Sequence, residues 1–257
     1  MRRIFLFIAT LLLFGCGGNT VKEEPIVLIA HAGGEIDGYV YTNSREALEK
    51  SVAAGHSFIE LDLLFTADSV LVAAHSWEEF NEATGYAHKG DTAPAFADFS
   101  TRRIHGRYTP LSAAEINEFF TADSTLVLVT DKISSPSVLA ANFPTLKNRM
   151  VVEAFNYNDY STLLSQGYYR VLYSCLATDL NSALVKHLLL SPLFKGPKIE
   201  WITMYVGELD NPLFRFIDTF ATFRMALFTV NSIDEIPQDE LRNINKVKMI
   251  YTDKLEP

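Results

Sequence analysis

The chain has 257 residues, of which 48% are hydrophobic and 21% charged, so it is long enough to enclose one large core. Its 31 acidic residues outnumber the 22 lysines and arginines, which gives a formal net charge of −9 at pH 7. This balance argues against a nucleic-acid partner, which would require a basic surface, and leaves small molecules, sugars and cations as candidates.

The N-terminus has the pattern of a targeting segment. Two arginines precede an apolar stretch, 4–14, that is too short to span a bilayer comfortably. The following LFGC resembles a lipobox, which predicts a signal peptide over 1–15, a lipidated Cys16 and a polar tether over 16–25. An ordinary signal peptide with an incidental cysteine stays open as the alternative. The lipobox interpretation predicts a lipid-anchored protein of the cell envelope, at the periplasmic or outer-membrane face.

The chain contains one further cysteine. Cys175 lies in the apolar run YRVLYSCL and, with Cys16 lipidated, has no partner for an intramolecular disulfide. We therefore predict that Cys175 is a buried core residue.

Beyond residue 25, short extended patterns alternate with helical ones, which indicates a parallel α/β fold. An eightfold barrel needs eight strands, so one of the nine candidates is expected to be peripheral. The candidate strands are 26–30, 57–63, 70–75, 125–130, 150–154, 169–174, 199–204, 225–230 and 247–252. The candidate helices are 43–54, 112–120, 158–166, 180–190 and 232–241, two of which begin with possible capping boxes, Ser112 with Glu115 and Ser232 with Glu235.

Two acids lie on one face of the second candidate strand. Glu60 and Asp62 are two residues apart in FIELDL, so their side chains point the same way. If that face is buried, a hard divalent cation with oxygen ligands would offset the cost of the two charges. A solvated outer face is the alternative.

Titratable residues also follow three other candidate strands. His31 follows the first, His75 the third, and Asp131 with Lys132 the fourth. In a β/α barrel the carboxyl ends of the strands converge at one mouth, where catalysis takes place. We therefore expect these residues to meet Glu60 and Asp62 there.

An ordered series of short motifs runs along essentially the whole mature chain. The motifs are His31-Ala32-Gly33, Asn43, Glu60-Leu61-Asp62, Thr66-Ala67-Asp68, His75-Ser76, YTPLSAAE at 108–115, FTVN at 228–231 and IYTD at 250–253. Their order resembles the glycerophosphodiester phosphodiesterase family, within the superfamily of phosphatidylinositol-phospholipase-C-like barrels. The resemblance implies a single (β/α)8 TIM-type barrel over 26–257.

The chain departs from the family pattern at three places. The arginine that follows the first histidine in the family, and grips the substrate phosphate, is Ala32 here. The aspartate after the second histidine is Ser76, and the Glu-x-Lys of the fourth strand is replaced by Thr130-Asp131-Lys132. Strand alternation would turn Lys132 away from the barrel if Asp131 points inward, unless the strand ends there.

The resemblance implies a metal-dependent phosphodiester hydrolase. Glu60, Asp62 and Asp131 would hold one Ca²⁺ or Mg²⁺, and His31 and His75 would serve as general base and general acid. Asn43 and Lys132 are the predicted substrate-binding residues, with Arg45 a weaker candidate for replacing the missing arginine. The expected substrate is a glycerophosphodiester or a related envelope or polysaccharide phosphodiester.

Two other functions stay open. A surface lipoprotein with weak or no activity would bind a glycan or a phosphodiester polymer, and a sphingomyelinase-D-like phospholipase would share the missing arginine. Several aromatic residues are expected near the mouth, where they would contact a sugar or pack in the core: Tyr39, Tyr41, Trp77, Phe80 and Tyr86. The remaining histidines are predicted to be structural or to lie outside any metal site: His56, His88, His105 and His187.

Overall fold

A computed structural model of the chain describes residues 25–175, 196–212, 214–215, 222–236 and 246–257. The predicted signal peptide, Cys16, the tether as far as residue 24, the helix over 180–190 with His187, and the second half of the helix over 232–241 lie outside the described residues. Within those ranges no helix is long and apolar enough to cross a membrane.

The strands form one sheet that closes on itself. They are β1 Val27–Ala30, β2 Phe58–Phe65, β3 Leu71–Ala73, β4 Val127–Asp131, β5 Met150–Ala154, β6 Val171–Ser174, β7 Trp201–Tyr205, β8 Arg224–Phe228 and β9 Val247–Thr252. β1 pairs in parallel with both β2 and β9, so all strands except β3 close into a parallel barrel. The predicted (β/α)8 TIM-type barrel is confirmed.

β3 is the peripheral strand, and it runs antiparallel to β2. Leu71 pairs with Phe65 and Ala73 with Leu63, beyond the part of β2 that pairs with β4. The expectation that four successive barrel strands deliver the site residues is therefore wrong for His75. This histidine reaches the mouth because β3 turns back along β2, and strand propensity does not reveal that direction.

The helices pack around the barrel. They are α1 Arg45–Ala54, α2 Trp77–Ala83, α3 Phe96–Phe99, α4 Ala113–Ala122, α5 Pro136–Asn142 and α6 Tyr157–Ser165. Short 3₁₀ turns cover His31–Gly33, Ala87–Lys89, Lys147–Arg149, Val206–Asp210 and Ile233–Glu235. The predicted box at Ser112 is confirmed, since its hydroxyl accepts from the Glu115 N–H at 3.3 Å and the Glu115 carboxylate accepts from the Ser112 N–H at 2.8 Å.

The second predicted capping box is wrong. The Ser232 hydroxyl accepts a hydrogen bond from the Asp234 N–H at 3.4 Å, and the Glu235 carboxylate accepts from the Asn231 N–H at 2.9 Å. The described part of this segment is the 3₁₀ turn Ile233–Glu235, whose tighter geometry shifts both bonds by one residue.

The barrel interior changes from apolar to polar toward the mouth. Its buried apolar cluster consists of Ile29, Val127, Val129, Val151, Leu172, Ala226, Met249 and Tyr251. Two positions further along four of these strands the sequence has His31, Asp131, Glu153 and Ser174, all of which line the cavity at the mouth. Alternation with a period of two therefore carries each inward row from the packed core into the site.

The insertion over 76–109 has a small core of its own. Trp77, Phe80, Phe99, Ile104 and Tyr108 are buried together there. Asn81 is fully buried and donates to the carbonyl groups of Gly90 and Thr92. Of the five aromatic residues expected near the mouth, Trp77 and Phe80 thus pack in a core, and Tyr39, Tyr41 and Tyr86 are exposed.

Candidate active site and metal centre

A cavity of about 520 Å³ opens at the carboxyl ends of the barrel strands. It brings together the two histidines, the three acids and the lysine that the sequence indicated. Its lining residues are His31, Tyr41, Glu60, Asp62, His75, Asp131, Lys132, Glu153, Phe155, Ser174, Phe228, Thr229 and Tyr251.

Glu60, Asp62 and Asp131 form an acidic triad in this cavity. Asp62 and Asp131 are register partners on the neighbouring strands β2 and β4. One carboxylate oxygen from each of the three residues lies within 4.8 Å of the other two. Glu60 and Asp62 are buried, so the solvated-face alternative is wrong.

The triad has the electrostatic character of a cation site. Burial, followed by the charges of Asp62 and Asp131, raises the pKa of Glu60 well above its usual range. Burial and the charge of Asp62 likewise raise the pKa of Asp131. One oxygen of Glu60 accepts the Ala32 N–H at 2.7 Å, and its other oxygen, Oε1, is buried and has no hydrogen-bond partner among the described residues. An unsatisfied carboxylate oxygen among three acids fits a hard divalent cation.

The turn after β1 aims the Ala32 N–H at Glu60. Ala32 has a left-handed φ of +48°, and Gly33 and Gly34 follow with φ of +85° and +90°. A Cβ at Gly34 would lie 2.3 Å from the Ser51 hydroxyl oxygen, so only glycine fits there.

Lys132 lies in the cavity because β4 ends at Asp131. Its φ of +67° breaks the strand alternation and brings the side chain back to the acids. The ammonium nitrogen lies 3.4 Å from Asp62 and 3.8 Å from Asp131. Burial disfavours the charged form, but the two carboxylates outweigh it and raise the pKa of Lys132.

Asn43 is fully buried, and both the nitrogen and the oxygen of its side-chain amide form hydrogen bonds with Asp62. Its Nδ2 donates to an Asp62 carboxylate oxygen at 3.0 Å, and its Oδ1 accepts from the Asp62 N–H at 3.0 Å. Asn43 has a left-handed φ of +49°, and the next residue, Ser44, is the N-cap of helix α1. The predicted substrate contact of Asn43 stays a prediction, and its observed contact is with Asp62.

His31 is held by residues that follow the last two barrel strands, β8 and β9. Its Nδ1 lies 3.0 Å from an Asp253 carboxylate oxygen and 3.4 Å from the Thr229 hydroxyl. Asp253 in turn accepts from Asn231 Nδ2 at 2.9 Å. Although burial opposes it, the hydrogen bonds from His31 and Asn231 lower the pKa of Asp253, which keeps the carboxylate ionised.

His75 is held by the insertion. Its Nδ1 lies 2.6 Å from a Glu79 carboxylate oxygen, one turn along α2. Ser76 is the N-cap of this helix, since its hydroxyl accepts from the Glu79 N–H at 3.2 Å. Both histidines thus have a carboxylate on Nδ1, the arrangement that orients a catalytic imidazole.

The Tyr41 ring lies between the two histidines. Its centroid is 4.8 Å from that of His31, edge-on, and 4.6 Å from that of His75. Tyr41 has a φ of +58°, an unusual conformation for a bulky residue. The tyrosine therefore links the barrel side of the site to the insertion side.

Sequence reasoning missed the floor of the cavity. Glu153 is buried and accepts a hydrogen bond from the Tyr251 hydroxyl at 2.5 Å. Burial and the charge of Asp131 raise the pKa of Glu153 well above its usual range. A signal was present, because Glu153 interrupts the apolar strand MVVEA at the position that alternates inward with Val151.

The glycerophosphoryl diester phosphodiesterase family model matches residues 31–167, more than half of the chain. The chain belongs to this family. It is therefore a phosphoric diester hydrolase, and the matched range contains both histidines, the acidic triad and Lys132. No curated protein matches the chain.

Solved structures of other glycerophosphodiester phosphodiesterases have the same fold. An enzyme from Parabacteroides distasonis superposes with a TM-score of 0.63 at 17% identity, covering 90% of this chain and 94% of its own. An enzyme from Thermotoga maritima gives 0.63 at 14% identity, covering 89% and 95%. A phosphodiesterase from Oleispira antarctica, in complex with its product sn-glycerol-3-phosphate, gives 0.62 at 15% identity, covering 88% and 92%.

The other candidate residues of this phosphodiesterase do not line the active-site cavity. Arg45 lines a separate surface cavity with Glu118 and Phe119, so it is not placed to replace the missing arginine. His56 is buried against the Leu255 carbonyl group. The predicted burial of Cys175 is confirmed, and burial raises the pKa of its thiol to about 12.

Proposed function

We propose that this enzyme hydrolyses a small glycerophosphodiester, or a related envelope or polysaccharide phosphodiester, by acid–base catalysis from His31 and His75. The observation that carries the proposal is the pairing of each Nδ1 with a carboxylate, Asp253 or Glu79, on either side of one acidic cavity. Each ring then has Nε2 for proton exchange with a reacting oxygen.

Glu60, Asp62 and Asp131 would hold one divalent cation, Ca²⁺ or Mg²⁺. When bound, the cation would neutralise charge on the phosphate oxygens as it develops. The triad itself orients the site: Glu60 fixes the turn that carries His31, through the Ala32 N–H, and Asp62 is fixed by Asn43. The unsatisfied Glu60 Oε1 supports this assignment.

Lys132 would take over the phosphate contact that the family arginine makes. Ala32 has no side chain to reach a phosphate, whereas the Lys132 ammonium lies in the cavity beside Asp62. A lysine binds phosphate as a point charge and not as a bidentate fork, so we expect a weaker grip than that of an arginine.

His31 would act as general base and His75 as general acid. The base would take the proton of the attacking water or of a neighbouring substrate hydroxyl, and the acid would deliver a proton to the leaving alkoxide. The complex of the Oleispira antarctica enzyme with sn-glycerol-3-phosphate supports a glycerophosphodiester as the substrate class.

The alternative of an inactive binding lipoprotein rested on Ala32 and Ser76. Serine and aspartate are both good N-caps, and Ser76 fills that position at the start of α2. The substitution at Ser76 therefore leaves the support of His75 intact. The family match likewise favours a glycerophosphodiesterase over a sphingomyelinase-D-like phospholipase.

The test is a panel of phosphodiesters assayed with the full chain in detergent, with added Ca²⁺, with Mg²⁺, or with EDTA. We expect release of glycerol phosphate from glycerophosphodiesters that EDTA abolishes and one of the two cations restores. A folded, cation-loaded protein that cleaves no phosphodiester in the panel would refute the proposal in favour of the binding lipoprotein.

We also propose that the enzyme is anchored in the cell envelope through a lipid on Cys16. The LFGC motif supports this proposal. Cys16→Ser should leave an unprocessed precursor or release soluble protein, whereas Cys175→Ala, at the buried cysteine, should still partition with membranes. Unchanged processing and partitioning of Cys16→Ser would exclude the anchor.

A further inference from the structure

The barrel has a second end, opposite the active-site mouth, where its parallel strands begin. We define the amino-end face as the first residue of each barrel strand and the three residues before it, as far as the structure describes them. Six of these residues are basic and one, Glu200, is acidic, although the whole chain has a formal net charge of −9. The basic residues are Lys147, Arg149, Arg170, Lys198, Arg224 and Lys246.

Aromatic and aliphatic side chains lie among these charges. Tyr169 is 79% exposed and Ile26 is 37% exposed, while Phe58 and Trp201 are partly buried against the apolar cluster of the barrel interior. The Arg170 guanidinium lies 6.0 Å from the centre of the Phe58 ring. Because β2 and β6 are not neighbours in the sheet, this contact crosses the end of the barrel. The amino-end face is therefore one surface of basic and aromatic groups.

Three of the basic groups are available to a ligand. Arg170, Lys198 and Arg224 are exposed, and none of them forms an ion pair with an acid in the part of the chain that the structure describes. Lys198 donates to a neutral hydroxyl at 2.5 Å, and the Arg224 guanidinium lies 5.2 Å from the Trp201 ring, so both keep their charge. Arg149, in contrast, donates to three main-chain carbonyl groups and supports the fold.

The mouth has no comparable concentration of basic groups. Its cavity is lined by the acidic triad and Glu153, with Lys132 as the basic residue among them. The insertion over 76–109 contains five acids and four basic residues, and two of its arginines form ion pairs with Asp98 and Asp37. A negatively charged surface would therefore attract the amino-end face in preference to the mouth.

The predicted tether joins the barrel at this same face. Ile26 is exposed and precedes β1, at the opposite end of that strand from His31. The nine residues 17–25 span at most roughly 30 Å when fully extended, so a lipid on Cys16 would keep the face close to the membrane. Because 17–25 contains two acids and one lysine, the positive charge is that of the barrel. This step rests on the proposed lipid anchor.

We propose that the amino-end face docks on an anionic phospholipid surface, that of the membrane in which Cys16 is anchored. The negative potential of such a surface attracts lysine and arginine, and tyrosine and tryptophan favour the level of the lipid headgroups. Tyr169 and Trp201 then lie at that level, with Arg170, Lys198 and Arg224 beside them. The active-site mouth opens away from the membrane into the aqueous compartment.

The two tryptophans of the chain provide the test, because they lie on different parts of the molecule. Trp201 is the first residue of β7, and Trp77 is the first residue of α2 in the insertion. The full chain with Trp77→Phe is reconstituted into phosphatidylcholine vesicles that carry a nitroxide on the lipid headgroup. Quenching of Trp201 should be strong when phosphatidylglycerol is added and weak without it. Trp201→Phe, which retains Trp77, should show weak quenching in both kinds of vesicle.

Charge reversal identifies the groups that bind the lipid. Arg170→Glu combined with Lys198→Glu, in the Trp77→Phe chain, should lower quenching by phosphatidylglycerol vesicles to the value in phosphatidylcholine alone. Lys89→Glu combined with Arg103→Glu changes two exposed basic residues of the insertion and is the matched control, which should leave the quenching unchanged. Salt at about 0.5 M should remove the difference between the two lipids, because it screens exposed charges.

Several results would overturn the proposal. Equal quenching of Trp201 in the two lipids, or an equal fall in both charge-reversal variants, would mean that the amino-end face does not recognise anionic lipid. Stronger quenching of Trp77 than of Trp201 would place the mouth against the membrane. Mass spectrometry reports the anchor separately. A chain without lipid on Cys16 that also fails to bind phosphatidylglycerol vesicles would refute both anchor and docking, whereas a lipidated chain with equal quenching would refute docking alone.

Discussion

The two histidines of the site have the same chemical partner but different supports. His31 meets Asp253 across the closure of the barrel, between β1 and the end of β9, and the two side chains are 13% and 7% exposed. His75 meets Glu79 one turn along α2 in the insertion, and these side chains are 33% and 55% exposed. One pair belongs to the barrel, and the other to a surface helix.

The two carboxylates are also held in place differently. Asn231 donates to the Asp253 carboxylate at 2.9 Å and accepts from its N–H at 2.8 Å, so the orientation of His31 is fixed by several bonds. Glu79 is an exposed residue on a seven-residue helix, so the support of His75 depends on the insertion and not on the barrel. We therefore expect the support of His31 to tolerate substitution less well than the support of His75.

The comparison of the two histidines assumes that both act beside one cation site. Glu60→Ala should remove that site, and we expect it to have the largest effect. Removal of one oxygen ligand from three leaves too few donors for a hard cation, so we expect cation binding to be abolished with the fold retained. Isothermal titration calorimetry with Ca²⁺ and Mg²⁺ measures this. Glu153→Gln, which changes another buried acid of the same cavity, is the matched control and should still bind the cation. Equal affinity in wild type and Glu60→Ala would exclude the site.

The next largest effect is expected at the histidines themselves. His31→Ala and His75→Ala should each lower kcat by about 10²–10⁴-fold, the usual contribution of one acid or base. The double variant should lose much less than the product of the two losses, because the residues act as a unit. Cation affinity should barely change in any of the three, since neither ring is a proposed ligand. Multiplicative losses in kcat would mean that the two rings act independently.

Replacing the buried carboxylate that holds His31 should lower kcat more than replacing the exposed carboxylate that holds His75. Asp253→Asn leaves a buried amide that can stabilise the wrong tautomer of His31, so we expect kcat to fall about 100-fold or more. Glu79→Gln removes an exposed carboxylate that water can replace, and we expect a loss of less than about 10-fold. Steady-state kinetics of both variants, with folding checked by circular dichroism, tests the contrast. Equal losses would show that the insertion holds His75 as firmly as the barrel holds His31.

Much of this site follows from the period of two in β-strands and from the convergence of strand ends. Glu60 and Asp62 share a face, and Asp131 follows an inward row, so the triad could be predicted. The Glu79 support was not predicted, because no candidate helix covered α2, and the structure places Glu79 one turn along that helix from His75. Asp253 was not predicted either, since its contact with His31 requires β9 to lie beside β1, which only closure of the barrel establishes.

Two local features also escaped prediction for physical reasons. Strand propensity gives no direction, so β3 looked like a barrel strand although it runs antiparallel on β2. The position of Lys132 depends on a left-handed φ that a lysine rarely adopts, and alternation alone would have turned it away from the acids.

The smallest effect is expected at Glu153, on the floor of the active-site cavity. Its pKa is raised in the folded protein, so between the usual glutamate pKa of 4.5 and this raised pKa the native state keeps a proton that the unfolded chain has lost. Stability then falls as pH rises. Glutamine cannot ionise, and its amide oxygen can still accept from the Tyr251 hydroxyl. In EDTA at pH 8, Glu153→Gln should therefore raise Tm by about 2–4 °C, whereas at pH 4.5 it should match wild type. Differential scanning calorimetry at the two pH values measures this, with the exposed Glu118→Gln as control. An equal shift at both pH values would mean that Glu153 acts through packing and not through its charge.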